Sequence, residues 1–176
     1  MIKAQLAEDR VIVWEKKAAE KLYGEGTFGK MRNEKLELAL IEAAYLVDKG
    51  KIKIVEDRKK IDKERFFDYC KKLDKRFDHR YAVYKDLRER ELAVRTGFKF
   101  GCDFRVYAKG VRPLKRGPKT AREHTKWVVF AVPEKYVFSF PELSRAVRLA
   151  HNIRANMLWA IVGKKIKYVQ VQFFKP

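Results

Sequence analysis

Cysteine is scarce in this chain of 176 residues, which contains only Cys70 and Cys102. The two lie far apart in the sequence, and neither belongs to a CxxC or a Cys/His spacing. Disulfide frameworks and structural zinc sites are recognised by paired, closely spaced ligands. The sequence therefore indicates neither a disulfide-linked domain nor a metal site, and we expect both thiols to be ordinary buried side chains.

Long apolar runs are also missing, since no stretch approaches the roughly 20 apolar residues that cross a bilayer. The first nine residues, Met1 to Asp9, already carry charge where a signal peptide would have an apolar segment. We therefore expect a cytoplasmic protein without membrane association. Hydrophobic residues make up 47% of the chain, which is enough for one core or two small ones.

Acidic residues are few compared with basic ones: 23 Asp and Glu oppose 42 Lys and Arg, for a formal net charge of +19. Lysine and arginine neutralise phosphates and release condensed counterions, so this imbalance predicts a nucleic-acid partner. Solubility, or the lysine-rich composition of proteins from hot environments, is the alternative explanation. The size of the excess favours nucleic acid.

The periodicity of apolar residues predicts an α+β fold with a small N-terminal α+β lobe, residues 1–80, and a C-terminal lobe, residues 81–176. In the first lobe, strands are predicted at 10–14 and 51–55, with an apolar helix over 36–50 between them. A charged helix then connects the lobes.

The C-terminal lobe is predicted to hold a mixed sheet flanked by helices. The connecting helix is predicted over 62–78. In the C-terminal lobe, helices are expected over 81–91 and 141–154, and strands over 98–108, 126–132, 157–162 and 167–174.

A basic loop, KGVRPLKRGPKTARE, interrupts the predicted strands of the C-terminal lobe. Its two prolines and two glycines exclude a regular helix or central strand. Long irregular loops in compact domains are often functional. We expect the loop to contact RNA through Lys115, Arg116, Lys119 and Arg122.

Two proton-transfer groups flank this loop. Tyr107 ends the preceding strand and His124 precedes the following one. Strand alternation places Cys102, Phe104 and Val106 on one face, so Tyr107 need not belong to the core. Alone, such a pair is a weak indication, because strand-end tyrosines and loop histidines are usually structural.

Three C-terminal segments change this interpretation: YAVYKDLRERELAVRTGFKFGCDFRVY, EHTKWVVFAV and RAVRLAHNIRANMLWAIV. They occur in the same order in the nuclease domain of archaeal tRNA-splicing endonucleases, which they closely resemble. The N-terminal segments LYGEGTFGK and LELALIEAAYLVDKGKI resemble the other domain of that family. The resemblance covers nearly the whole chain.

The resemblance implies cleavage of precursor tRNA at bulge-helix-bulge sites, without a metal or cofactor, leaving a 2′,3′-cyclic phosphate and a 5′-hydroxyl. It implies that Tyr107 is the general base for the 2′-hydroxyl and that His124 protonates the leaving 5′-oxygen. Arg148 matches one of two arginines that clamp a bulge base in the family, but no second arginine follows residue 154. We expect His151, on the same segment, to be a packed structural residue.

The family's third catalytic residue is a lysine, and its position is occupied here by Ala155. Losing one such charge commonly costs about 10²- to 10³-fold in rate, so the resemblance implies an inactive or impaired form. Either the lysine was replaced deliberately or a natural subunit lost its chemistry. Retention of Tyr107 and His124 favours the former.

The final predicted strand and the turn before it indicate how the chain associates with other subunits. The strand is apolar on both faces, which indicates pairing with another chain. In the family, an acidic loop at this turn enters a basic pocket of an opposing subunit, whereas the turn here is Gly163, Lys164 and Lys165. The resemblance therefore implies a heterotetramer with a structural paralogue that supplies the acidic loop. A non-catalytic subunit of the same tetramer and a general RNA-binding module are the alternatives.

Overall fold

The computed structural model describes residues 1–97, 101–113, 120 and 123–174. The chain forms two compact units, Met1–Tyr81 and Ala82–Pro176. Each unit contains one mixed sheet, and the predicted α+β class is confirmed. Among the described residues, no helix is long and apolar enough to cross a membrane.

The N-terminal unit is a six-stranded sheet in the order β3-β4-β2-β1-β5-β6, with only β1 and β5 parallel. Its elements are β1 (Ile2–Ala7), β2 (Arg10–Val13), α1 (Lys16–Gly24), β3 (Lys30–Arg32), β4 (Lys35–Ala39), α2 (Leu40–Asp48), β5 (Ile52–Glu56), β6 (Lys59–Ile61) and α3 (Lys63–Leu73). The predicted strands at 10–14 and 51–55 correspond to β2 and β5.

The helix predicted over 36–50 is wrong in its first part, because residues 35–39 form β4 and the helix starts at Leu40. Leu36 and Leu38 are fully buried and alternate with more exposed neighbours, which is the period of a strand paired with β2. The buried carboxylate of Glu42 accepts hydrogen bonds from Ala39 N, at 2.9 Å, and Gly29 N, at 3.0 Å. These bonds hold the strand-to-helix junction.

The charged helix predicted over 62–78 is two helices. The first, α3, ends at Leu73, because Asp74 adopts an extended backbone conformation. The second, α4 (Phe77–Glu89), includes most of the helix predicted over 81–91. Asp74 Oδ1 accepts a hydrogen bond from Arg76 N at 2.9 Å, which satisfies a backbone donor at the break.

The C-terminal unit is a five-stranded sheet in the order β11-β10-β9-β8-β7, with β9 and β10 parallel. Its elements are β7 (Val94–Thr96), β8 (Phe104–Val106), β9 (Trp127–Pro133), α5 (Phe140–Asn152), β10 (Asn156–Val162) and β11 (Ile166–Val171). The strand predicted over 98–108 is present at β8, while residues 98–100 lie outside the described residues.

Helices cover both faces of this sheet, as predicted. On one face, Ala146, Val147 and Ala150 of α5 pack against Val128 and Trp159. On the other face, the rings of Tyr84 in α4 and Phe104 in β8 lie 5.6 Å apart. The hydroxyl of Tyr168 donates a 2.7 Å hydrogen bond to Asp86, which attaches β11 to α4.

Both thiols are buried and neither forms a disulfide, as the sequence predicts. Burial raises the pKa of Cys70 and of Cys102 to about 12. A thiol with so high a pKa is protonated at neutral pH and is a poor nucleophile.

Replacing Glu42 by Ala should lower the free energy of unfolding by about 3 kcal/mol, because two backbone N–H groups would lose their acceptor. Urea unfolding followed by circular dichroism measures this loss. Glu42→Gln keeps one acceptor oxygen and should lose roughly half as much. Equal stability of the parent chain and the Glu42→Ala variant would show that the junction does not depend on this carboxylate.

Candidate active site

The ends of three neighbouring strands meet at one edge of the C-terminal sheet. Val106, the last residue of β8, pairs with Trp127, the first residue of β9. Asn156, the first residue of β10, pairs with the same Trp127. The residues just beyond these positions are Tyr107, Lys126 and Ala155. They therefore lie in a row across strands spaced by about 4.8 Å, which we call the strand-end edge.

Two backbone hydrogen bonds hold this row in register. Lys126 N donates to Val106 O at 2.8 Å, and Asn156 N donates to Lys126 O at 2.9 Å. The side-chain amide of Asn156 adds a second bond to the same carbonyl, at 3.2 Å. The positions of Tyr107 and Ala155 relative to Lys126 are thus set by backbone pairing in the sheet, with one additional bond from the side chain of Asn156.

Tyr107, which strand alternation left free to lie outside the core, is only 3% exposed and therefore belongs to it. Its backbone N–H donates to Ala93 O at 3.0 Å, which continues the antiparallel pairing beyond the first residue of β7 and the last residue of β8. The tyrosine therefore lies inside the sheet rather than at the start of a free loop.

His124 is exposed and lies two residues before Lys126. His124 is therefore close to the strand-end edge along the chain. The carboxylate of Glu123, the residue before it, accepts hydrogen bonds from the N–H and the hydroxyl of Thr120, at 2.8 and 2.9 Å. The four expected RNA contacts of the basic loop, Lys115, Arg116, Lys119 and Arg122, lie outside the described residues.

Ala155 is partly buried against the apolar cluster between α5 and the sheet. Its N–H donates to Ala150 O at 2.8 Å, and the preceding Arg154 has a positive φ of 55°. That left-handed residue turns the chain from α5 directly into β10. The position expected to hold a lysine is thus rigidly placed, but it carries only a methyl group.

Lys126 is a residue of this edge that the sequence analysis missed. It is exposed, and its ammonium lies 4.4 Å from the centroid of the Trp127 ring. The sequence identifies it only as the first residue of a predicted strand. Its place between Tyr107 and Ala155 follows from the pairing of three strands distant in sequence.

Arg148 and His151 are both exposed on α5. The expectation that His151 is packed is therefore wrong. The helix buries Ala146, Val147 and Ala150, and residues 148 and 151 are three apart on a different side.

The turn between β10 and β11 is formed by Gly163, Lys164 and Lys165, all exposed. The strand β11 is an edge strand, and Val169 is 44% and Phe173 is 51% exposed. Both features predicted for assembly are thus accessible from solvent in the single chain.

Comparison with known families gives the decisive observation. Residues 77–168 match the catalytic C-terminal domain of the tRNA intron endonucleases, and residues 2–67 match the N-terminal domain. The chain belongs to the tRNA intron endonuclease family.

Several curated members of this family are similar to the chain. A tRNA-splicing endonuclease of Thermococcus onnurineus is 39% identical over 99% of this chain and 97% of the relative. One from Nanoarchaeum equitans is 46% identical over 80% of this chain and 90% of the relative. A third, from Methanosarcina mazei, is 40% identical over 96% of this chain but only 47% of its own length.

Proposed function

We propose that this chain is the catalytic-type subunit of a tRNA-splicing endonuclease that cleaves precursor tRNA at bulge-helix-bulge sites. In this proposal residues 1–80 form the N-terminal domain and residues 81–176 the nuclease domain. Family membership supports the reaction class. The observation that carries the assignment is the strand-end edge, where Tyr107, the segment of His124 and Ala155 converge from three separate parts of the chain.

The proposed reaction is an internal transesterification. Tyr107 removes the proton of the 2′-hydroxyl, the 2′-oxygen attacks the adjacent phosphorus, and the bond from phosphorus to the 5′-oxygen breaks. His124 gives a proton to that leaving oxygen, so the products are a 2′,3′-cyclic phosphate and a 5′-hydroxyl. A positioned acid and base typically contribute about 10²- to 10⁴-fold.

Positive charge is the element that this mechanism needs most. Tyrosine hydroxyls ionise near pH 10 in model peptides, so a tyrosine base requires neighbouring cations. The pentacoordinate phosphorane also gains negative charge. Ala155 cannot supply a cation, and in the described part of the chain Lys126 is the cation placed between it and Tyr107 by the strand register.

Two observations favour the alternative of a non-catalytic structural subunit in the same tetramer. Ala155 lacks the charge that the family uses, and the side chain of Tyr107 is buried. We propose the catalytic-type assignment because Tyr107 and His124 are both retained in the sequence. The form with Ala155 is then inactive or impaired.

Precursor tRNA is the proposed substrate. Lys115, Arg116, Lys119 and Arg122 of the basic loop are proposed to bind its phosphates. The exposed Arg148 is proposed to stack on a bulge base. A paralogous structural subunit is the proposed protein partner in a heterotetramer, because the turn of Gly163, Lys164 and Lys165 is basic and would repel a basic pocket.

Replacing Ala155 by Lys should raise cleavage of a bulge-helix-bulge RNA by at least about 10²-fold, because it restores one charge at the developing oxyanion. The rate is measured under single-turnover conditions in excess EDTA, since the mechanism uses no metal. Ala155→Met, which adds length without charge, is the matched control and should not raise the rate. Equal rates for the Lys and Met variants would contradict the proposed role of position 155.

Lys126→Met should lower the residual cleavage of the parent chain by roughly 10-fold, if its ammonium partly replaces the missing cation. The same change in the Ala155→Lys background should have a smaller effect, because the two cations would serve one phosphate. Lys135→Met, at an exposed position beyond the other end of β9, is the control. Losses of the same size in both backgrounds would mean that Lys126 acts independently of position 155.

Full activity of the Ala155→Lys chain should require a structural subunit with an acidic loop between its last two strands. Mass measurement by light scattering and cleavage assays, with and without that subunit, test this expectation. A stable and fully active homotetramer of this chain alone would contradict the proposed assembly.

A further inference from the structure

One face of the N-terminal sheet points away from its helices. Lys30, Glu37, Ile12, Gln5, Val55 and Lys60 pair in succession across all six strands and so share this face. Their neighbours along the strands point to the opposite face, where Leu6, Val11, Leu36, Leu38 and Ile54 are buried.

Basic side chains dominate the exposed face. We call it the basic face; its strand residues with positive charge are Lys3, Arg10, Lys30, Arg32, Lys35, Lys53 and Lys60. Glu37 lies among them and is held by Arg32 at 3.2 Å and Arg10 at 3.5 Å. Within the described ranges, Lys3, Lys53 and Lys60 form no ion pair, so their charge is available to a ligand.

An exposed tryptophan lies among the basic side chains of this face. Trp14 follows β2 and is 58% exposed. Its indole N–H donates a 2.8 Å hydrogen bond to the side chain of Gln5, so the ring extends toward β1. The ammonium of Lys35 lies 4.7 Å from the ring centroid. The ring is therefore oriented by two neighbours while more than half of its surface remains in water.

A concavity of about 590 Å³ lies beside this ring. Its lining includes Lys3, Gln5 and Val55 on adjacent strands and Arg58 in the β5–β6 turn, and the carboxylates of Glu15 and Asp57 complete it. The volume lies in the range of sites that hold a small molecule or a single nucleotide. Trp14 thus borders a space large enough for one base.

The chemistry of the basic face fits RNA better than a protein partner. The centres of protein interfaces are depleted in charge, whereas here lysines surround the one large exposed ring. Surfaces that bind single-stranded nucleic acid instead combine aromatic side chains, on which bases stack, with lysines that contact the phosphates. Lys3 and Lys53 are paired on the neighbouring strands β1 and β5, whose backbones lie about 4.8 Å apart, and Lys35 lies on β4, two strands from Lys3.

We infer that the basic face is a second RNA-binding surface, which stacks an unpaired base on Trp14 and holds phosphates with Lys3, Lys35 and Lys53. The inference rests on the proposed function in taking RNA as the polyanion, and it assigns a binding role to the unit that lacks the strand-end edge. Its ligand is single-stranded or bulged RNA, because a stacked base must be free of its pair.

The stacking role is tested with the full-length chain and a labelled oligouridine of about 12 nucleotides, within the site size of such surfaces. Trp14→Ala should weaken binding by about 5- to 100-fold, the range for loss of one stacked base. Trp14→Phe should retain most of the affinity. Since Trp14 is exposed, both variants should keep the unfolding midpoint of the parent chain. Equal affinities of the Ala and parent proteins, or absence of oligouridine binding by the parent, would overturn the inference.

The role of the lysines is tested through salt dependence. Changing Lys3, Lys35 and Lys53 together to Gln should reduce the slope of log K against log salt by about 2, at roughly 0.7 for each phosphate contact. The matched control changes Lys17, Lys21 and Lys75 to Gln, which removes the same charge from exposed positions outside this face. Equal slopes for the two triple variants would exclude specific phosphate contacts by the basic face.

Two further measurements separate this inference from its alternatives. Trp14-dependent binding of polyglutamate, with RNA binding unaffected by Trp14→Ala, would identify an acidic protein partner and overturn RNA as the ligand. Cleavage of bulge-helix-bulge RNA by the Ala155→Lys chain tests the proposed function independently. If RNA binding depends on Trp14 but no cleavage occurs, the proposed function is contradicted and the second binding surface is not. If cleavage occurs but Trp14→Ala does not change RNA binding, only the second binding surface is contradicted.

Discussion

The parallel pairing of β9 and β10 is the constraint on which the candidate active site depends. Parallel strands cannot be joined by a tight turn, so the chain must cross over, and α5 makes that connection. The crossover returns the chain to the end of the sheet where β9 began, and Ala155 consequently lies beside Lys126. A slip of one residue in this register would turn every side chain of β10 to the other face.

The antiparallel pairing of β8 with β9 completes the same edge from the other side. It brings the end of β8, and therefore Tyr107, to the start of β9. The hydrogen bond from Tyr107 N to Ala93 O extends the ordered sheet by one residue and buries the side chain. The sheet thus fixes the backbone position of this tyrosine and leaves only 3% of the residue exposed. A mechanism that uses Tyr107 must include substrate access as well as acid-base chemistry.

Charge is distributed differently in the two units. In the C-terminal unit, the described cation of the strand-end edge is Lys126, which belongs to a short row set by backbone hydrogen bonds. In the N-terminal unit, basic side chains extend across a whole sheet face around Trp14. Two buried carboxylates are satisfied by the backbone: Glu42 accepts two hydrogen bonds, and Asp103 accepts one from Ala131 N at 2.8 Å. No lysine or arginine is buried among the described residues. The net positive charge therefore lies on the surface, where phosphates can neutralise it.

The sequence by itself determined the α+β class, the strands β2, β5, β9 and β10 and the helix α5, because their apolar residues repeat with the local period of a strand or a helix. It also identified Tyr107, His124 and Ala155 as candidates, through ordered segments shared with a family. Only the tertiary structure decided the strand at 35–39, the burial of Tyr107, the exposure of His151, and the placement of Lys126 and Trp14. Each of these depends on which distant segments pair or pack together, and a pattern along one segment carries no information about its partner.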